Sequence, residues 1–86
     1  MEGVKARVRE ILKDKPYLMG SGTDNELIAE YCRRFIRDWN KEMKEPYVDT
    51  VEDLLRVIEM GKLPKFDTIT KDKRRIVAES QGRMIK

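Results

Sequence analysis

Histidine is absent from this sequence, and with it the usual general base near neutral pH and the commonest metal ligand. A single cysteine, Cys32, excludes an internal disulfide and leaves at most one soft ligand for zinc. Apolar runs never exceed a few residues, so no segment reads as a membrane span. The opening Met1-Glu2-Gly3-Val4-Lys5 is charged and lacks an apolar stretch, unlike a signal peptide. We therefore expect a non-enzymatic protein with no metal, no cofactor and no membrane partner, in a reducing, cytoplasmic setting.

Charge is what the chain has in abundance. It makes up 41% of the residues, against 40% apolar, and the formal net charge is +3. The apolar share argues against disorder, because a disordered chain buries too little surface to offset its lost entropy. The length of 86 residues points to one domain, 1–86, with a small core. The excess positive charge is local. Residues 1–61 hold 11 basic and 13 acidic side chains, whereas residues 62–86 hold 8 basic and 3 acidic ones. Such asymmetry fits either a surface for a polyanion or a solvated basic tail.

No stretch alternates like a strand, and the spacing predicts an all-α, compact four-helix domain. Val4, Val8, Ile11 and Leu12 form a first helical stripe, ended by Pro16, with Lys5, Arg7, Arg9 and Lys13 on the outer faces. Tyr17-Leu18-Met19 then docks on the core. After Gly20-Ser21-Gly22, Thr23 and Glu26 have the spacing of a capping box. They open a central helix carrying Leu27, Ile28, Tyr31, Cys32, Phe35, Ile36, Trp39 and Met43. Glu30 is spaced to pair with Arg34, and Arg34 with Asp38. Thr50-Val51-Glu52-Asp53 opens a third helix, whose buried stripe is expected at Val51, Leu54, Leu55 and Ile58, with Gly61 as its left-handed stop. Leu63 and Phe66 anchor a connector containing Pro64. A last helix runs from Thr68 or Thr70 to Ser80, with Gly82 beyond it. The expected core is Val8, Ile11, Leu12, Leu27, Ile28, Tyr31, Phe35, Leu54, Leu55, Ile58, Ile69, Ile76 and Val77.

The last two helices form a helix-turn-helix-like C-terminal pair. At 100° per residue, Ile69, Lys73, Ile76, Val77 and Ser80 share one side of the last helix, and Lys71, Arg74, Arg75 and Ala78 the other. Lys73 falls on the inward half, its stem packed and its ammonium expected to reach water. A recognition helix needs such a division: one face holds the domain, the other meets phosphates and base edges. An ordinary amphipathic surface helix has the same pattern, and the connector from Gly61 to Asp67 exceeds the usual turn of about 3–4 residues.

Other motifs weaken on inspection. Arg33, Arg34 and Arg37 are a basic cluster, but Glu30 and Asp38 neutralise part of it. Gly20-Ser21-Gly22-Thr23 lacks a Walker lysine, and Asp24 and Glu26 would repel a phosphate. Cys32 lies on an apolar face with no histidine to activate it.

The order of features resembles a family of small proteins encoded in early regions of bacteriophages and prophages. The resemblance rests on Val4-Lys5-Ala6-Arg7-Val8-Arg9-Glu10-Ile11-Leu12 with Pro16, then the Gly/Ser/Thr loop with Asp24, then a long helix with Leu27 and Tyr31. It closes on Asp67-Thr68-Ile69-Thr70-Lys71-Asp72-Lys73-Arg74-Arg75-Ile76-Val77-Ala78-Glu79. Lys71 and Lys73 stand where arginine is expected in that family. The resemblance implies a nucleic-acid role, and with the basic face of the last helix it leads us to expect a phage-type protein that binds duplex DNA, supporting phage replication or regulation in the host cytoplasm. Its expected contact residues are Thr70, Lys71, Arg74, Arg75 and Arg83. The alternative is a non-enzymatic module that binds and modulates a host or phage protein, through the basic face or the Tyr47–Val51 region.

Overall fold

The computed structural model describes residues 3–85, and side chains over residues 3–80. Four helices follow in order: α1 (Val4–Asp14), α2 (Asp24–Lys41), α3 (Val51–Glu59) and α4 (Phe66–Ile85). A 3-10 turn, Pro16–Met19, joins the first two. Among the described residues there is no strand, so the all-helical expectation holds. No described helix is long and apolar enough to cross a membrane.

The stripes of α1, α2 and α4 meet in one core, with α1 packed chiefly against α4. Val8, Ile11, Leu12, Leu27, Tyr31, Phe35, Ile69 and Ile76 are buried there as the spacing predicts. Leu18 of the 3-10 turn joins them. Each such side chain contributes roughly 1.5–3 kcal/mol by leaving water. Ile28 and Leu54 are only partly buried and Val77 is intermediate. Trp39 stacks on Phe35 at 5.7 Å, and its indole N–H donates to the Pro46 carbonyl at 2.8 Å.

The helix ends follow from local chemistry. Helix α2 stops at Lys41, before Met43, because the chain turns there: Met43 takes a left-handed φ of 58° and is 87% exposed. The Lys44 and Met43 N–H groups close back on the carbonyls of Trp39 and Asn40. Helix α3 ends the same way at Gly61, with φ 73° and the Lys62 N–H returning to the Val57 carbonyl. Its start is a full capping box: Thr50 Oγ1 accepts from the Asp53 N–H, and Asp53 accepts from the Thr50 N–H. Helix α4 begins earlier than expected, at Phe66 directly after Pro64-Lys65, and continues through Gly82, whose helical penalty of about 1 kcal/mol does not stop it.

Several expectations need correction. Helix α3 turns Val57 into the core, while Val51, Leu55 and Ile58 are exposed. The core meets only the edge of its apolar stripe. Phe66, expected as an anchor, is 48% exposed, and Leu63 alone holds the connector. Arg7, placed outside by residue type, is buried. It donates to Asp38 at 2.8 Å and lies 5.6 Å from the Tyr31 ring centroid. Asp38 thus serves Arg7, and Arg34 pairs with Glu30 at 3.0 Å, as its spacing predicts, and with Asp14 at 2.9 Å in place of Asp38.

Candidate nucleic-acid interface

Helix α4 owes its orientation to Ile69 and Ile76, which anchor one side in the core. The opposite side then faces solvent, and Lys71, Arg74, Arg75 and Ala78 are all exposed on it. Lys71 pairs with Asp67 one turn earlier at 3.0 Å. Arg75 reaches Asp72 at 3.7 Å. Arg74 makes no ion pair among the described residues. It borders an open depression of about 430 Å³ formed by the Gly20–Gly22 loop with Val77 and Ala78.

Helix α1 extends this surface. Lys5 and Arg9, one turn apart, both donate to the Glu79 carboxylate, at 2.7 and 3.3 Å. Glu79 follows Arg75 by one turn on α4, so the α1 cations continue the α4 row. Five cations (Lys5, Arg9, Lys71, Arg74 and Arg75) thus face three carboxylates (Asp67, Asp72 and Glu79), which leaves the strip positive. Lys5 and Arg9 were missed as part of it, although their spacing of four was a visible signal.

Thr70 does not belong to this face. It is buried, and its hydroxyl donates to the Asp67 carbonyl at 3.1 Å, which corrects its assignment as a contact residue. The side chain of Arg83 lies outside the described residues. Arg33 and Arg37 are exposed on α2, each with a carboxylate at 3.5 Å, whereas Arg34 is mostly buried.

Lys73 departs most from expectation. Its ammonium does not reach water: it donates to the Gly20 carbonyl at 2.8 Å, Thr23 Oγ1 at 3.0 Å and Asp24 Oδ1 at 2.7 Å. Three N–H donors meet three acceptors, which is how a buried ammonium becomes tolerable. Thr23 is thereby drawn away from capping α2. Its hydroxyl is turned toward the Gly20 and Leu18 carbonyls, at 2.7 and 3.0 Å, and no side-chain cap forms. The loop beside Arg74 is therefore pinned to α4, and the charge of Asp24 is met by Lys73.

Ion pairs, a helix cap and burial shift several ionisable groups. Arg34 donates to Glu30 and holds its carboxyl below the ordinary value, against partial burial and with help from Lys15. Burial pushes Asp38 up, but the hydrogen bond and charge of Arg7, with Arg37, bring it below its ordinary value. Asp53 is lowered by the N–H of Asp49, then by the hydroxyl and N–H of Thr50. Burial pushes the Tyr31 phenol up, with Arg7 opposing. It also pushes the Cys32 thiol up, away from the reactive thiolate. Comparison of the chain with protein-family models, with curated proteins and with solved structures gives no match.

Proposed function

We propose that this chain is a non-enzymatic nucleic-acid-binding protein that sets the outer face of α4 against duplex DNA, in a phage-type replicative or regulatory role. The observation that supports this reading is the exposed row Lys71, Arg74 and Arg75, backed by an aliphatic face that locks the helix to the core. Lys5 and Arg9 lengthen the row along α1. Phosphates compete with Asp67 for Lys71 and with Glu79 for the α1 cations, while Arg74 is available without such an exchange. Arg74 or Arg75 supplies the base-edge contact, because guanidinium has the fork geometry that lysine lacks.

Duplex binding by the wild type, followed at two salt concentrations, tests this against the triple variant Lys71→Ala, Arg74→Ala, Arg75→Ala. Each phosphate left without its cation should lower the salt slope of log affinity by about 0.9. The three side chains are exposed, so the fold should persist. Equal affinity and equal slope in a folded triple variant would reject the reading. The exposed apolar side chains of α3 favour a second reading, a module that docks on a protein. Absence of any salt-dependent duplex affinity in the wild type would move the assignment there.

A further inference from the structure

We propose that the apolar face of α3 is covered by a second copy of this chain, in an antiparallel two-fold pairing. At 100° per residue Val51, Leu55 and Ile58 lie within about 60° of one another, so they form one stripe. They are 74%, 45% and 39% exposed, and Phe66, which lines the same groove as Ile58, is about half exposed. A standard interface takes about 800 Å² from each partner, a little over half of it apolar, and these four side chains supply on the order of 350 Å² of that.

A two-fold interface requires a patch complementary to itself. The two ends of this patch differ in the required way. Val51, the most exposed of the three, stands at the N-terminal end, next to Glu52. Two turns on, about 10 Å along the axis, is Ile58. Ile58 borders a groove of about 850 Å³ walled by Gly61, Leu63, Lys65 and Phe66. Reversing one α3 against the other sets Val51 of each copy over the groove of its mate, and Glu52 against Lys65, twice. Glu52, Lys62 and Lys65 make no ion pair among the described residues, so these charges remain available to a mate. A foreign segment of one charge sign fits less well, because Asp49 and Glu52 make one end acidic, while Lys62 and Lys65 outnumber Glu59 at the other.

The pairing is independent of the nucleic-acid reading, and its test contains no nucleic acid. Sedimentation equilibrium of the full chain should show a reversible monomer–dimer equilibrium. Leu55→Glu should raise the dissociation constant at least about tenfold, because a carboxylate would be buried without a partner. Its helix content should be unchanged, since residue 55 is half out in the monomer. Glu52→Lys and Lys65→Glu should each weaken the dimer. The double variant should return to within about threefold of wild type, as expected for a charge pair exchanged in place. A wild type that is monomeric at every concentration would overturn the proposal. So would a dimer indifferent to Leu55→Glu, or a double variant weaker than either single one.

Discussion

Replacing Lys73 by methionine keeps most of the buried stem and removes only the ammonium. The Gly20 carbonyl, Thr23 Oγ1 and Asp24 Oδ1 then lose a donor at 2.7–3.0 Å. Breaking a fully buried ion pair costs about 3–5 kcal/mol. Here the Asp24 side chain is 42% exposed and can rehydrate, so the full penalty does not apply. Hydrogen bonds to a charged group contribute about 1.5–3 kcal/mol, and removal of a buried ammonium from the folded state returns part of that. The expected loss is about 2 kcal/mol, a large share of the stability of a domain this size. That corresponds to a fall of roughly 10 °C in Tm. Urea denaturation followed by circular dichroism, with a thermal melt, measures both. The Gly20–Gly22 loop should also become the first site of proteolysis, because its tether to α4 is gone. The cycle with Asp24→Asn isolates the direct pair, and the double variant should be less destabilised than the sum of the singles. A loss below about 0.5 kcal/mol, with full additivity in the cycle, would refute the view that this ammonium holds the loop.

Two further outcomes follow from local chemistry. Met43→Gly should stabilise the protein by about 0.5–1 kcal/mol, read as a higher midpoint in urea, because methionine occupies a left-handed φ that glycine adopts at no steric cost. An unchanged or lower midpoint would show that no strain resides there. Glu30 and Asp38 both have lowered carboxyl pKa values in the fold, so the unfolded chain binds more protons in that range. Their contribution is present above the ordinary carboxylate values and is lost as pH falls through the folded ones. Stability should therefore drop on acidification below the ordinary carboxylate range, and Glu30→Gln should flatten the profile of urea midpoint against pH.

The elements that could be read from the sequence are those whose stripes meet other stripes. Val8, Ile11 and Leu12, Leu27, Tyr31 and Phe35, and Ile69 and Ile76 repeat at helical spacing, and each set is buried. Helix α3 has an equally regular stripe, yet periodicity states only that a face is apolar and not what lies opposite. The core reached Val57 at the edge of that stripe and left its centre outside. Arg7 and Lys73 were placed outside or half outside by residue type. Their carboxylate partners, Asp38 and Asp24, lie 31 and 49 residues away, so no local pattern announces them. Thr23 shows the same limit. Its spacing to Glu26 favours a cap, and a lysine from the other end of the chain claims the hydroxyl first. Among the candidate contacts, the exposure of Lys71, Arg74 and Arg75 is legible because they oppose buried isoleucines on one helix. The burial of Thr70 is not, since its side chain folds back on the preceding turn.

The packing of α1 chiefly against α4 bears on the order in which this chain acquires its structure. The Lys5–Glu79 contact closes a loop of 74 residues. The entropy of that closure is given up before any of the packing between the two helices is gained. Most small helical bundles escape this, because their partners are neighbours in sequence and fold quickly. During synthesis α1 and α2 emerge first, carrying Val8, Ile11 and Leu12 on apolar faces that α4 will later cover. Those faces stay open until Ile69 and Ile76 have been made. The nascent chain therefore exposes those faces until α4 has been made, and its cooperative fold forms when α4 closes over α1.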